Sequence, residues 1–137
     1  MADLSIIMPT LNAGEGLRRS LPPLAALNAL NLVHEVIFAD GGSTDETCDI
    51  AEAAGVRVVA AARGRGQQLA EAASVAKGRW LLFLHADTRL DLRWHESVWS
   101  FMLEPGNIRR AGFFCFKLND GRKRAKFLKR LVALRVK

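Results

Sequence analysis

The fold of this chain is decided by the stretch Trp80-Leu81-Leu82-Phe83-Leu84-His85-Ala86-Asp87-Thr88-Arg89. Its first five residues are apolar, a pattern typical of a strand that is buried on both faces of a parallel sheet. Polar side chains begin where this predicted strand ends, at His85, Asp87 and Thr88. Since ligands bind at the carboxyl ends of strands in open α/β sheets, these side chains are predicted to lie at a functional site.

Three further apolar runs precede this stretch and alternate with helical patterns. The runs predict strands at Leu4–Met8, Val33–Ala39 and Val56–Ala61. Apolar spacing and turn residues predict helices near residues 15–27, 44–54 and 67–76. Strands that alternate with helices indicate an α/β fold with a mostly parallel sheet and flanking helices.

Local signals refine the first two predicted helices. Pro22 and Pro23 lie inside the first helical pattern, and because proline lacks a backbone N–H they are predicted to break it into a short turn and a second helix. Ser43 is followed three residues later by Glu46, a capping-box pattern that predicts the start of the next helix. The amino end of that helix is expected to face the same sheet edge as Asp87.

The residues beyond Arg89 predict three more elements. The first is a helix capped by Asp91, with the apolar residues Trp94, Val98, Trp99 and Met102. A turn follows at residues 104–107, and a fifth strand is predicted at Ala111–Leu118. Residues 122–137 have apolar side chains at helical spacing with basic residues between them. They predict a basic amphipathic helix that follows a main domain of residues 1–121.

The net charge of +6 is concentrated in the tail. Residues 1–120 contain 12 basic and 14 acidic side chains, a net charge of −2, whereas residues 121–137 contain eight basic side chains and no acidic one. The basicity of the chain therefore says nothing about the partners of the main domain, and no nucleic-acid partner is expected. The tail fits two interpretations. It could contact an anionic membrane surface or nucleic acid, or it could pack against a further part of the protein, and the second interpretation is favoured.

Composition also indicates a compartment. The sequence has no apolar window long enough to span a membrane and no basic-then-apolar leader pattern, which predicts a cytoplasmic protein. Cys48 and Cys115 lack the spacing of a metal site, and a disulfide between them is not expected in a reducing compartment. Both are interpreted as packing residues.

Polar loops at residues 9–16, 40–45, 63–68 and 85–89 follow the four predicted strands, so they are expected to converge on one edge of the sheet. Asp40 lies just past a buried strand and beside two glycines, where its carboxylate can accept hydrogen bonds from a base or a sugar. The alternative is that residues 40–45 form only a turn and a helix cap.

Asp87 is placed to hold a divalent cation, because one carboxylate together with diphosphate oxygens and waters is enough for Mg²⁺ or Mn²⁺. Such a cation would neutralise charge on a diphosphate leaving group. The alternative is that Asp87 and Thr88 cap the next segment. Arg63 and Arg65 fit either phosphate binding or simple solvation, and a lone histidine such as His85 is more often structural.

Four ordered motifs carry a family resemblance: Pro9-Thr10-Leu11-Asn12, Ala39-Asp40-Gly41-Gly42-Ser43-Thr44-Asp45, Arg63-Gly64-Arg65-Gly66-Gln67-Gln68 and Leu84-His85-Ala86-Asp87-Thr88. In order and spacing they resemble the family 2 glycosyltransferases, which have the Rossmann-like GT-A fold. The chain is especially similar to a bacterial subgroup whose metal motif reads His-Ala-Asp-Thr.

This resemblance implies binding of a nucleotide diphosphate sugar, with a uridine diphosphate sugar as the expected donor and an unknown acceptor. It implies that Asp40 binds the uracil base and that Asp87 binds the metal, at the last position of the family's Asp-x-Asp motif. His85 replaces the first carboxylate of that motif, which puts a ribose contact in doubt. The implied nucleotide-sugar-binding residues are Pro9, Thr10, Asn12, Asp40, Ser43, Asp45, Arg63, Arg65, Gln68 and His85.

Similar enzymes are much longer, and their second half carries the acceptor site and an acidic catalytic base. After Glu104 this chain has only Asp120 as an acidic residue, so no general base is identified. The chain is therefore expected to be the donor-binding half of an enzyme, with the acceptor half missing. The alternative is a module of the same fold that binds a nucleotide without turnover.

Two other enzyme classes fit poorly. A dinucleotide-binding fingerprint needs a third glycine after Gly14 and Gly16, but Arg19 occupies that position. A phosphatase with an Asp-x-Asp-x-Thr nucleophile needs aspartate at position 85, and His85 cannot form the aspartyl phosphate.

Overall fold

The computed structural model describes residues 3–28, 31–90 and 93–114. The chain divides into two compact units, Met1–Leu103 and Glu104–Lys137. In the first unit the elements in chain order are β1 (Leu4–Thr10), α1 (Gly14–Asn28), β2 (Val33–Asp40), α2 (Thr47–Ala53), β3 (Arg57–Ala60), α3 (Arg65–Val75), β4 (Trp80–Phe83) and α4 (Trp94–Leu103). The described part of the second unit contains a short 3₁₀ helix, Pro105–Asn107, which follows Glu104.

The four strands form one parallel sheet in the order β3-β2-β1-β4. In register, Thr10 at the end of β1 lies opposite Asp40 at the end of β2, and Asp40 lies opposite Ala60 at the end of β3. The predicted α/β fold with a parallel sheet is therefore confirmed. The alignment of these strand ends places the loops that follow them at one edge.

Helices pack on both faces of the central strands. On one face, buried Ile6, Met8 and Phe38 join Leu17 of α1 and Trp94 of α4 in a single apolar cluster. On the other face, Ile7, Ile37 and Ala39 pack with Ala72 of α3. Both faces of β1 and of the second half of β2 are thus buried, which fits the apolar runs Ile6–Met8 and Val36–Ala39.

The expectation that the Trp80–Arg89 stretch begins with a strand buried on both faces is wrong in its second part. The strand forms at Trp80–Phe83 and pairs with β1, but Leu81 is 39% exposed and Phe83 is 47% exposed. Trp80 and Leu82 pack against the first apolar cluster. Leu81 and Phe83 lie on the other face, where the cluster formed with α3 includes no residue of β4. An apolar run alone does not distinguish a central strand from an edge strand.

The predicted division of the first helix is also wrong. Helix α1 is continuous from Gly14 to Asn28 and contains Pro22 and Pro23. The two prolines remove two potential backbone hydrogen bonds. Leu17 and Leu24 are buried in the core on this helix, and their packing outweighs that loss.

The capping box at the second helix does not form. Helix α2 starts at Thr47, and Glu46 at its amino end makes no side-chain cap. Ser43 Oγ instead accepts from Asn12 N, and Ser43 N donates to Asp40 Oδ2, so contacts outside the helix replace both bonds of the capping box. At the other end Gly55 terminates the helix with φ +66°, the left-handed conformation that favours glycine.

Several other predictions have mixed outcomes. Cys48 is exposed, so its interpretation as a packing residue is wrong; α2 buries Thr47 and Ala51 instead. Residues 111–114 have no regular structure. The remainder of the predicted fifth strand, Asp91, Cys115 and the tail helix of residues 122–137 lie outside the described residues. Among the residues that the structure describes, no helix is long and apolar enough to cross a membrane.

Candidate functional site

The loop after β1 is bound to the loop after β2 through backbone and side-chain hydrogen bonds. Gly41 N donates to Thr10 O (2.9 Å), and Asn12 N donates to Ser43 Oγ (2.8 Å). In return, Thr44 N donates to Asn12 Oδ1 (2.8 Å). Asn12 has φ +49°, a conformation that asparagine tolerates better than most residues, and these bonds hold it there.

Asp40 lies at the centre of this pair of loops and is only 7% exposed. Its Oδ1 accepts from Thr10 Oγ1 (2.9 Å) and Ser43 Oγ (2.5 Å), and its Oδ2 accepts from Gly42 N (3.0 Å) and Ser43 N (2.8 Å). Burial raises the pKa of this carboxyl, but the four hydrogen bonds outweigh it and lower the pKa below 3.8. Asp40 is therefore a stable carboxylate.

Asp45 joins the starts of α1 and α2. Its carboxylate accepts from Gly14 N (3.0 Å) and Thr47 N (3.0 Å), and it also accepts from the Thr47 hydroxyl. Thr47 Oγ1 in turn accepts from Ala13 N (2.9 Å). The hydrogen bonds from Thr47 are the main cause of a lowered pKa at Asp45. Asp45 thus orders the loop from which α1 starts.

The third loop reaches the first two through α3. Gln68 is 5% exposed, and its Nε2 donates to Thr10 O (2.8 Å) and Ala39 O (2.7 Å). Arg63 Nε donates to Gly41 O (3.3 Å). Arg65 is exposed at the start of α3. The predicted convergence of residues 9–16, 40–45 and 63–68 is therefore present as direct contacts.

The fourth loop is attached to α1. Ser20 Oγ donates to Ala86 O (2.7 Å), and a Cβ on Gly16 would lie 3.2 Å from that same oxygen. The side chains of His85 and Asp87 are exposed, and no hydrogen bond or ion pair engages either of them within the described parts of the chain. They are available to a ligand.

The predicted site residues separate into two groups. The residues that bind one another or the backbone are Thr10, Asn12, Asp40, Ser43, Asp45, Arg63 and Gln68. The exposed side chains of Arg65, His85 and Asp87 make no such bond among the described residues. Pro9 lies inside β1, opposite Ala39. Thr47, Ser20 and Gly16 are contacts that the sequence pattern did not reveal. Their partners are distant along the chain, and local spacing carries no signal for them.

The donor set at Asp87 fits a divalent cation only with help from a ligand. No group of three histidine, cysteine or acidic side chains that could hold a metal occurs among residues 3–28, 31–90 and 93–114. One exposed carboxylate at the sheet edge is nonetheless sufficient for Mg²⁺ or Mn²⁺ when diphosphate oxygens and waters complete the shell. The residues present fit this type of site.

A sequence profile of the family described as glycosyl transferase family 2 matches residues 5–129, so the chain belongs to that family. Curated relatives include the PGL/p-HBAD biosynthesis glycosyltransferases of Mycobacterium bovis and Mycobacterium tuberculosis. Each is 38% identical over 93 residues, which cover 63% of this chain and 36% of the relative. The match thus spans about a third of the length of these relatives.

Solved structures support the GT-A fold. Staphylococcus aureus TarS (residues 1–349) superposes with a TM-score of 0.64 at 26% identity, over 74% of this chain and 32% of that one. Glucosyl-3-phosphoglycerate synthase of Mycobacterium tuberculosis, in complex with Mn²⁺, uridine diphosphate and glucosyl-3-phosphoglycerate, gives 0.55 at 28% identity, over 62% and 33%. TarS has also been crystallised in complex with UDP-GlcNAc.

Proposed function

We propose that this chain of glycosyl transferase family 2 is the donor-binding half of an enzyme that transfers a sugar from a uridine diphosphate sugar to an acceptor. The observation that carries the proposal is the edge of the sheet at which three loops are bound together around Asp40. Exposed cationic and acidic side chains border the same edge. Buried, hydrogen-bonded loops with exposed charged side chains beside them suit a nucleotide diphosphate.

In this proposal the base lies over the loop that contains Asp40. All four acceptor positions of its carboxylate are occupied by the chain itself. The uracil N–H therefore shares a carboxylate oxygen with Thr10 or Ser43. The hydroxyls of those residues can rotate, whereas the backbone donors Gly42 N and Ser43 N are fixed.

The diphosphate lies toward the exposed charged residues. Among the described residues Arg63 is held by Gly41 O through its Nε, which leaves the two terminal nitrogens to donate to phosphate oxygens. Arg65 adds a second positive charge at the start of α3. Asp87 would hold Mg²⁺ or Mn²⁺, and the cation would neutralise the charge that develops on the leaving diphosphate.

A second candidate function is nucleotide binding without transfer. It is favoured by the carboxylates of the candidate site, because Asp40 and Asp45 already accept hydrogen bonds from the chain and Asp87 is assigned to the metal. Transfer needs a base that deprotonates the acceptor hydroxyl. The two candidates share the donor site and differ only in turnover.

The test is calorimetric titration of uridine diphosphate into the full chain, with and without Mn²⁺, followed by assays of donor hydrolysis and sugar transfer. Binding that strengthens with Mn²⁺ together with turnover supports the glycosyltransferase. The same binding without turnover supports the second candidate. Absence of binding under both conditions contradicts the two proposals together.

A further inference from the structure

Gln68 makes an unusual pair of contacts for a side chain on a helix. It lies in α3 and is 5% exposed, and its Nε2 donates both hydrogens to backbone oxygens of two adjacent strands, Thr10 O of β1 and Ala39 O of β2. Thr10 is the last residue of β1, and Ala39 is the second-last residue of β2. The amide thus links the carboxyl ends of two neighbouring strands.

These contacts act directly on the proposed base site. Thr10 donates its hydroxyl to Asp40, and Asp40 follows Ala39 along the chain. Fixing the carbonyl groups of Thr10 and Ala39 therefore fixes the distance and orientation between the Thr10 hydroxyl and the Asp40 carboxylate. Because backbone oxygens cannot rotate independently of the chain, two bonds from one nitrogen tie the two strand ends rigidly.

Gly41 gives an independent indication of the same role. A Cβ at this position would lie 3.2 Å from Gln68 Nε2 and 3.5 Å from Gln68 Cδ. The φ of Gly41 is not in the left-handed region, so glycine is needed here for space and not for backbone conformation. The close approach that glycine permits at position 41 is to the Gln68 amide.

We propose that Gln68 is a positioning residue, which orders the Thr10–Asp40 pair for the base while making no contact with the nucleotide itself. This inference rests on the proposed donor function. It assigns Gln68 a role different from that of a direct nucleotide ligand.

The test compares Gln68→Met, which keeps the length of the side chain but removes both donors, with Gln67→Met as the matched control. Gln67 is the same residue type, adjacent and exposed. We expect Gln68→Met to weaken uridine diphosphate binding by about tenfold and Gln67→Met to leave it unchanged. Equal affinity of Gln68→Met and wild type, or an equal loss in both variants, overturns the proposal.

Gln68→Glu supplies a readout that general destabilisation does not. A carboxylate at position 68 faces two carbonyl oxygens and repels them, whereas its protonated form can donate one hydrogen bond. Affinity relative to wild type should therefore rise as pH falls for Gln68→Glu and stay flat for Gln68→Met. A flat profile for both variants contradicts the role of Gln68 as a donor.

Amide hydrogen exchange of the nucleotide-free protein separates this inference from the proposed function. Gly41 N, Gly42 N and Ser43 N should exchange faster in Gln68→Met than in Gln67→Met, because their acceptors Thr10 O and Asp40 are no longer held in place. If the wild-type chain binds no uridine diphosphate but these amides still exchange faster in Gln68→Met, the positioning role is retained and the donor function is rejected. Unchanged exchange overturns the positioning role.

Discussion

Strand β2 carries a partly buried carboxylate near each end, and the two are treated differently. Glu35, toward the amino edge, accepts from Ser5 Oγ (2.9 Å), Lys77 N (2.6 Å) and Arg57 Nη1 (3.3 Å). Asp40, at the carboxyl edge, accepts four neutral donors, and none of the ion pairs among the described residues includes it. The charge of Glu35 is balanced by the Arg57 guanidinium, whereas the charge of Asp40 has no cationic partner among the described residues.

The difference separates stability from binding along one strand. Around Glu35 the bonds join β1, β2, β3 and the segment before β4, and Gly78 N completes them by donating to Ser5 Oγ (2.8 Å). Lys77, whose side chain is exposed, takes part through its backbone N–H. Around Asp40 the bonds order loops, while Arg63, Arg65, His85 and Asp87 present exposed side chains nearby. The bonds at the amino edge join strands to one another, whereas the bonds at the carboxyl edge order the loops of the candidate site.

Truncating each carboxylate gives the largest expected effects. We expect Asp40→Ala to lower the free energy of unfolding by about 3 kcal/mol, because four donors lose their acceptor, and to abolish detectable uridine diphosphate binding. Glu35→Ala should lower the free energy of unfolding by about 2 kcal/mol and leave the affinity for uridine diphosphate unchanged. Urea unfolding and calorimetry measure the two quantities. A similar loss of affinity in both variants would remove the distinction between the edges.

Asp87→Ala tests the carboxyl edge without changing the hydrogen-bonded loops around Asp40. The affinity for uridine diphosphate in the presence of Mn²⁺ should fall about 100-fold, since the metal loses its protein carboxylate, and the affinity without metal should stay the same. Exposed Glu52 on α2 provides the control, and Glu52→Ala should behave as wild type in both titrations. If Asp87→Ala keeps its metal-dependent affinity, Asp87 is better explained as a cap.

Gly78→Ala tests the amino edge by steric means. A Cβ on Gly78 would lie 2.5 Å from Ser5 N and 2.6 Å from Ser5 Oγ, so β1 and β4 must separate. We expect a loss of about 2 kcal/mol in unfolding free energy with unchanged nucleotide affinity in the folded fraction. Gly66→Ala is the matched control, because a Cβ there meets nothing within 4 Å. Equal stability of the two variants would contradict the model of this edge.

Acid gives the smallest expected effect. At Glu35 burial raises the pKa, but the bonds from Lys77, Ser5 and Arg57 outweigh it, and the pKa lies below 4.5. A lowered folded-state pKa adds stability above the unfolded value, and this contribution is lost as pH falls through the folded value. Wild-type stability should therefore fall between about pH 5 and pH 3, less steeply in Glu35→Gln. Parallel curves in urea unfolding would assign the acid sensitivity to Asp40 and Asp45.

Much of the fold could be predicted because uninterrupted apolar runs and turn residues are local signals. The strands at Leu4, Val33 and Trp80 all start where the sequence predicts, and the convergence of their loops follows from parallel topology. The edge position of β4 could not be predicted, since Leu81 and Phe83 have the same composition as buried strand residues. Strand order depends on contacts between distant segments.

At the site, the sequence predicted which residues gather but not what each one touches. Ser43 and Glu46 have the spacing of a capping box, yet Ser43 Oγ accepts from Asn12 N and Ser43 N donates to the Asp40 carboxylate. Gln68 was predicted as a nucleotide ligand by resemblance, whereas its amide nitrogen donates to the backbone oxygens of Thr10 and Ala39. Such competition among partners is decided by three-dimensional distance, which spacing along the chain does not encode.

The edge position of β4 has a consequence for how the protein behaves at high concentration. Within the described residues this strand has a neighbour on one side only, and Leu81 and Phe83 expose apolar surface beside that edge. An unpaired strand edge is a template for pairing with another copy. With four residues it can form few ladder bonds, so the resulting self-association should be weak, reversible and favoured by crowding, and dilution should reverse it.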